Sequence, residues 1–315
     1  LEQQGKPASA VHSGANKPVQ HEEKKGKGLA LVALALVCFF WGTTWIASRQ
    51  GVKYMPALQL AGIRQVLGGV CYILFYTLKG AAWPRGREWR TILILSLFNF
   101  VLSNGLSTWG VKFIPAGLAA IIGAIFPLWL VVIGLVVDKT RPKPLALTGL
   151  AIGFGGICVI FSEHLNELFN PDFLFGILIS LFATWTWAVG TLYTKKHAAS
   201  FNPYFSLGLQ MTISGVVLCG TVAATGDAVS LQAIPWQSWA AIGYLTVFSS
   251  IVSFVAYLYA LQHLPTAQVS LYAYINPIIA IVFSWLLFQE PLSGFIVAGA
   301  LITLYGVWLV NKAVK

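Results

Sequence analysis

One arginine and a scatter of hydroxyls, amides and aromatic rings stand inside long apolar runs of this chain. Arg64 lies within "LQLAGIRQVLGG". An ionisable group at such a depth is costly and usually functional. It either snorkels to an interface and caps carbonyls, or it meets a substrate carboxylate. No Asp or Glu stands in the middle of a run, so a carboxylate proton relay lacks its residues; Glu290, Asp138 and His263 near run ends are the nearest titratable groups. The uncharged candidates for lining a cavity are Trp41, Thr44, Asn99, Ser103, Trp185, Ser253, Gln268 and Tyr272. Gln268, Tyr272 and Asn276 recur every four residues, which places them on one helical face. Taken singly, each such residue can serve as hydrogen-bonding glue between helices. As a group they describe a neutral pocket with aromatic walls, suited to a zwitterionic or apolar solute held by hydrogen bonds, stacking and cation–π contact. No nucleophile stands beside a base and no cluster has metal-ligand spacing, so neither catalytic residues nor a metal or cofactor is expected. Cys38, Cys71, Cys158 and Cys219 each stand alone in a different run and read as small apolar filler.

The elements that must position these residues follow from composition. Of 315 residues, 57% are hydrophobic and 10% charged, against about 25% charged in an ordinary soluble domain. Ten runs are long enough to be read as membrane-crossing helices, at 29 to 47, 58 to 78, 91 to 111, 115 to 137, 145 to 161, 173 to 194, 204 to 223, 238 to 261, 265 to 288 and 292 to 310. Continuous apolar stretches such as 92 to 102 exclude the short alternating segments of a membrane barrel. The expected fold is therefore an all-α polytopic membrane protein of ten transmembrane helices. Residues 1 to 28 read as a polar, disordered cytoplasmic tail carrying Lys24, Lys25 and Lys27. With the N-terminus inside, sixteen Lys and Arg fall in inside segments and three, Arg49, Lys53 and Lys112, in outside loops. That asymmetry puts both termini in the cytoplasm. The net charge of +10 is then a topology signal with attraction to anionic lipid, and nucleic acid is not an expected partner.

The chain repeats itself. At an offset of 150, Trp89 matches Trp239, Ser103 matches Ser253, Pro115 matches Pro265, Pro127 matches Pro277, Gly149 matches Gly299 and Gly156 matches Gly306. The earlier parts align less evenly, with Pro56 and Gly68 matching Pro203 and Gly215 at 147. The two copies are residues 29–161 and 173–310, each of five spans. An odd number of spans starts the second copy on the opposite side of the membrane, giving two inverted five-helix repeats. Such repeats belong with secondary transporters, whose sites lie near the midplane between them. Pro115 and Pro265 read as helix starters. Pro127 and Pro277 lie about three turns deeper, where a missing N–H and a ring clash kink a helix; they are candidate hinges or fixed bends. Gly149 and Gly153 form a small-xxx-small pair for close packing within one monomer or across a dimer seam.

The succession "FFWGTTWIASRQ", "LQLAGIRQVLGG", "IPAGLAAIIGAIFPLWLVVIGLVV" and "LPTAQVSLYAYINPIIAIVFSWLLFQEPLSGFIVAGALITLYGVWLV" resembles the EamA family of the drug/metabolite transporter superfamily, in its YddG-like branch of amino-acid and metabolite exporters. The resemblance covers essentially everything after residue 28. It implies an exporter-type EamA fold in a bacterial plasma (inner) membrane, with a cavity lined by spans one to four and six to nine. The acid after the fourth span, Asp138 in "DKTRP", is displaced relative to Glu290, so no role is carried over to it.

These readings converge on a secondary transporter that exports neutral, aromatic or hydrophobic amino acids and related small metabolites by alternating access, spans four and nine each closing one end of the cavity. The partners expected are a small-molecule substrate and the lipid bilayer, with the chain a monomer or weak dimer. Drugs, lipophilic cations and nucleotide sugars are the alternatives. Phosphorylated solutes would favour several intramembrane cations where this chain has one. An intramembrane enzyme would need a nucleophile and base that the spans do not offer.

Overall fold

The computed structural model describes residues 17–137, 143–163, 169–197, 201–264, 266–270, 272–289 and 292–314. Among them every regular element is helical. The helices are α1 (Lys17–Gly51), α2 (Ala57–Leu78), α3 (Arg87–Gly110), α4 in two pieces (Ala116–Gly123 and Phe126–Val137), α5 (Pro144–Glu163), α6 (Pro171–His197), α7 (Pro203–Thr225), α8 (Trp236–His263), α9 in two pieces (Thr266–Val269 and Tyr272–Phe288) and α10 (Gly294–Val314). Seven helical stretches are long and apolar enough to cross a membrane, and shorter apolar helices cover 144–160, 272–288 and 294–310.

One boundary differs from expectation. The stretch read as a loose tail over 1–28 is helical from Lys17, while the apolar part of α1 begins at Gly26. Its Lys, Glu and Gln residues lose little side-chain freedom in a helix, so the helix continues past the apolar run. Residues 1–16 lie outside the described residues, as do Pro265, Asp138 and Glu290.

The two repeats are joined by two seams of glycine. Hydrophobic burial does not drive helices together inside lipid, so close packing must, and small residues allow it. Between α5 and α10, a Cβ on Gly156 would stand 2.7 Å from the Gly299 carbonyl, and one on Gly149 would stand 2.6 Å from the Gly306 carbonyl. The reciprocal positions are as tight, at 2.6 Å from Gly299 to the Gly156 carbonyl and from Gly306 to that of Gly149. Gly149 pairs with Gly306 and Gly156 with Gly299, so the helices run antiparallel and a local twofold relates the residues matched by sequence, each glycine meeting the match of the other. Gly153, read as packing within a monomer or across a dimer seam, lies on this intramolecular contact.

Between α2 and α7 the pattern recurs. A Cβ on Gly69 would meet the Gly208 carbonyl at 2.6 Å, and one on Gly215 would meet that of Gly62 at 2.7 Å. This seam equates Gly62 and Gly69 with Gly208 and Gly215, an offset of 146, and moves the match from Gly68 to Gly69. A helix of one repeat running against its own counterpart in the other is the geometry of inverted repeats.

The remaining packing is exchanged between halves. α1 packs on α8 and α9 of the second repeat, and its counterpart α6 packs on α3 and α4 of the first. Both α3 and α8 contain π-helical turns, at Ser96–Gly105 and Leu245–Val252. Such turns gather at functional sites. In α8 three carbonyls of this stretch accept from other helices: Trp41 donates its indole N–H to Ser249 O at 3.3 Å, and the Tyr72 hydroxyl reaches Ser250 O at 3.2 Å and Ile251 O at 2.9 Å.

The seam yields a test on two adjacent residues. Gly155→Ala adds a Cβ that meets nothing within 4 Å and is expected to be neutral or to stabilise by up to about 1 kcal/mol through helix propensity. Gly156→Ala drives a Cβ into the backbone of Thr303 and Gly299 and is expected to destabilise by about 1–3 kcal/mol. Thermal unfolding of the two purified variants checks both.

Candidate functional site

A cavity of about 130 Å³ opens among α1, α2, α3, α4, α6, α8 and α9. Its walls come from Ser48 near the end of α1, Thr108 near the end of α3 and Ala120 near the start of α4, so it reaches toward the face that carries Lys53 and Lys112. A second, smaller cavity of about 50 Å³ lies toward the opposite, basic face, where Glu88 and Thr91 begin α3, His197 ends α6 and Pro203 begins α7. Trp187 and Phe254 belong to the walls of both.

Five rings form the partition between the cavities. Trp41 meets Trp187, Phe254, Tyr257 and Tyr272 with centroids 5.0–5.9 Å apart, mostly edge to face, the arrangement that aromatic quadrupoles prefer. Trp187 also meets Phe254 and Tyr257, and donates its indole N–H to the Tyr272 hydroxyl at 2.8 Å. Three helices from one repeat and one from the other thus meet in a single locked cluster. Phe126 of α4 stacks on Tyr272 at 6.0 Å, which ties the broken helix of each repeat to the same partition.

The two prolines are used differently. In α4 the helix breaks at Ala124 and Ile125, and Pro127 sits in the first turn of the second piece, where its missing N–H costs little. In α9 Pro277 is inside the helix, with the break placed about two turns earlier at Ser270.

The candidate residues separate into three groups. Trp41, Thr44, Ser103, Tyr272 and Arg64 line the first cavity together. Asn99 lines the second, its amide packed against Gly190. Trp185, Ser253 and Gln268 lie on neither wall. Trp185 is half-buried and stacks on the exposed Phe182, and the tryptophan that faces inward from α6 is Trp187. Two residues are about 200° apart on a helix, so only one of the pair can face the bundle. Ala183, Thr184, Gly190 and Thr191 flank Trp187 at helical spacing, and that small, polar face is the signal that identifies it. Ser253 is turned inward on its own helix, its hydroxyl bonded to Phe248 O at 2.6 Å across the π turn, and Ser249 takes the wall instead. Gln268 leaves the face of Tyr272 and Asn276 because the break at Ser270 interrupts the four-residue period.

Arg64 is 2% exposed and does not snorkel to an interface. Its Nη1 donates to Ser249 Oγ over a long 3.4 Å, and its Nε is buried without a partner. Beside it, Gln65 holds three helices, donating to Phe100 O at 3.5 Å and Asn104 Oδ1 at 3.4 Å while accepting from the Ser214 hydroxyl of α7. The arrangement presents one guanidinium, many hydroxyls and amides, and a wall of rings.

Comparison with known proteins bears on what such a cavity is for. The model of the EamA-like transporter family matches residues 28–162 and again 174–312. An uncharacterized inner membrane transporter of Escherichia coli K12, YedA, is 31% identical over 84% of this chain and 83% of its own. The uncharacterized transporter YvbV of Bacillus subtilis is 28% identical over 90% of this chain and 91% of its own. A solved crystal structure superposes with a TM-score of 0.63 over 90% of this chain and 98% of that one, at 15% identity, which speaks to the fold.

The partition can be tested by access. In a chain whose native cysteines are replaced, the Thr191→Cys variant places a thiol on the second cavity. Adding Trp187→Ala is expected to raise severalfold its reactivity toward an impermeant reagent supplied at the Lys112 face. Unchanged reactivity would mean that the rings do not separate the cavities.

Proposed function

Because the chain belongs to the EamA-like transporter family, we propose that this transporter exports neutral amino acids and related small metabolites, aromatic or bulky hydrophobic ones in particular, across a bacterial plasma membrane. The observation that carries the reading is the first cavity: a space between the repeats walled by Trp41, Trp187, Phe254 and Tyr272, with hydroxyls and amides among the rings. Rings supply large contact area to a planar apolar group and tolerate an ammonium on their faces. Hydroxyls and amides fix its polar end. The single guanidinium disfavours lipophilic cations, and it offers too little charge for a nucleotide sugar.

The mechanism follows from the partition. With the basic face in the cytoplasm, as the excess of Lys and Arg there implies, the first cavity faces outward and the five rings close it from inside. Loading from the cytoplasm requires Trp41 and Trp187 to part, so that the second cavity joins the first. α9 carries Tyr272 just ahead of Pro277, which offers Ala273 no N–H. The helix can therefore bend there at lower cost than elsewhere.

Two measurements test this. Purified protein in liposomes is expected to carry labelled phenylalanine and tryptophan but not a nucleotide sugar or a lipophilic cation; flux of the sugar alone would overturn the substrate class. Pro277→Ala is expected to slow turnover severalfold while thermal unfolding changes little. Equal losses in both would remove the bending role.

A further inference from the structure

Among the described residues, the first cavity contains a positive charge and no matching negative one. Arg64 is almost wholly buried, its Nε has no partner, and its one hydrogen bond, to the Ser249 hydroxyl at 3.4 Å, is long. Among the described residues no Asp or Glu lines this cavity. Glu88 lines the second one, and Asp172 and Asp227 are exposed at helix ends. The other polar residues on its wall, among them Thr44, Ser48, Ser103, Asn104, Thr108 and Asn276, are all neutral.

A guanidinium out of water without a counter-charge is costly, and any solute that brings one relieves that cost. Matching solutes can be ranked on charge alone. A lone ammonium is repelled by Arg64 and finds no acid, only ring faces and hydroxyls. A zwitterion satisfies Arg64 with its carboxylate but carries an ammonium into a site with no acid, leaving it to ring faces and hydroxyls. A dianionic phosphate matches one of its charges and strands the other. A monocarboxylate neutralises the site, with two carboxylate oxygens suited to the fork of Nε and Nη2, and can place an apolar group among the rings.

We propose that the solute class matched by this cavity is the aromatic or bulky apolar monocarboxylate without an amino group, with Arg64 as its carboxylate anchor. The inference rests on the transport reading of the same cavity and shifts its preferred substrate, within amino acids and related small metabolites, from the neutral amino acids to their amino-free acid counterparts. Ser249, bonded to Nη1 on the other edge of the guanidinium, can keep its place.

Three compounds with one ring and one chain length isolate the charge: 3-phenylpropionate, phenylalanine and phenethylamine. Their binding to the full-length protein in lipid nanodiscs can be read by quenching of its tryptophans, of which Trp41, Trp45 and Trp187 line the cavity, and by competition against each other. The expected result is that 3-phenylpropionate binds about tenfold more tightly than phenylalanine, the size of effect that charge-assisted hydrogen bonding supports, and that phenethylamine does not compete. Arg64→Gln should erase the preference, and Arg64→Lys should keep the order with weaker binding. Equal or tighter binding of phenylalanine, or a preference that survives in a folded Arg64→Gln protein, overturns the inference and leaves the transport reading in place. Failure of all three compounds to bind overturns the aromatic cavity reading and this inference with it.

Discussion

Backbone-to-backbone contact at four glycine pairs is the constraint from which the rest of the architecture follows. Where α5 meets α10 and α2 meets α7, the helices approach so closely that a methyl group on Gly156, Gly299, Gly69 or Gly215 would press into a carbonyl. Lipid offers no hydrophobic reward for bringing helices together, so dispersion across such seams must supply it. Each seam joins a helix to its own counterpart and so fixes the relation between halves. With those pairs set, α1 and α6 have nowhere to pack except in the opposite half, and their inner faces meet at the centre.

That centre is where Trp41 of α1 and Trp187 of α6 touch, 5.9 Å apart. The partition is therefore built from the elements that the halves exchange. Its polar supports come from the π-helical stretch of α8, whose Ser249, Ser250 and Ile251 carbonyls accept from Trp41 and Tyr72. Seams that hold, first helices that cross over and a ring cluster held by a few hydrogen bonds make a body whose parts differ in how readily they separate. The seams are backbone contacts spread along whole helices. The partition depends on side chains, with Trp187 to Tyr272 the one hydrogen bond directly between rings.

Much of this could be read from the sequence, for physical reasons that also explain what could not. Span positions were legible because membrane-depth helices must be apolar over their whole length, and the repeat was legible because Pro127, Pro277, Gly149 and Gly299 are residue types that helices keep only for cause. Arg64 stood out for the same reason. Trp185 and Trp187, two residues apart, look alike until the small residues around each are compared, and it is Trp187 that lies on the cavity wall. Gln268 and Ser253 lie off the walls because the period of 3.6 does not carry across irregular backbone, a break at Ser270 in one case and a π turn in the other. Neither irregularity has a strong local sequence signal. The pairing of the glycines across the repeats was invisible because the matched copies look like parallel instances of one pattern until the halves are brought together.

The central claim is the proposed alternating access, in which the ring partition parts and the second cavity opens to the cytoplasm as the outer end of the first closes. Distances between spin-label pairs across the two faces test it most directly. One pair can be placed at Arg90 and Gln262 on the basic face, and another at Lys112 and Leu287 on the opposite face, all exposed positions. Measured by double electron–electron resonance in nanodiscs with and without a transported solute, the two pairs should change in opposite senses, one lengthening as the other shortens. Distances that both stay fixed, or that lengthen together, would contradict the account.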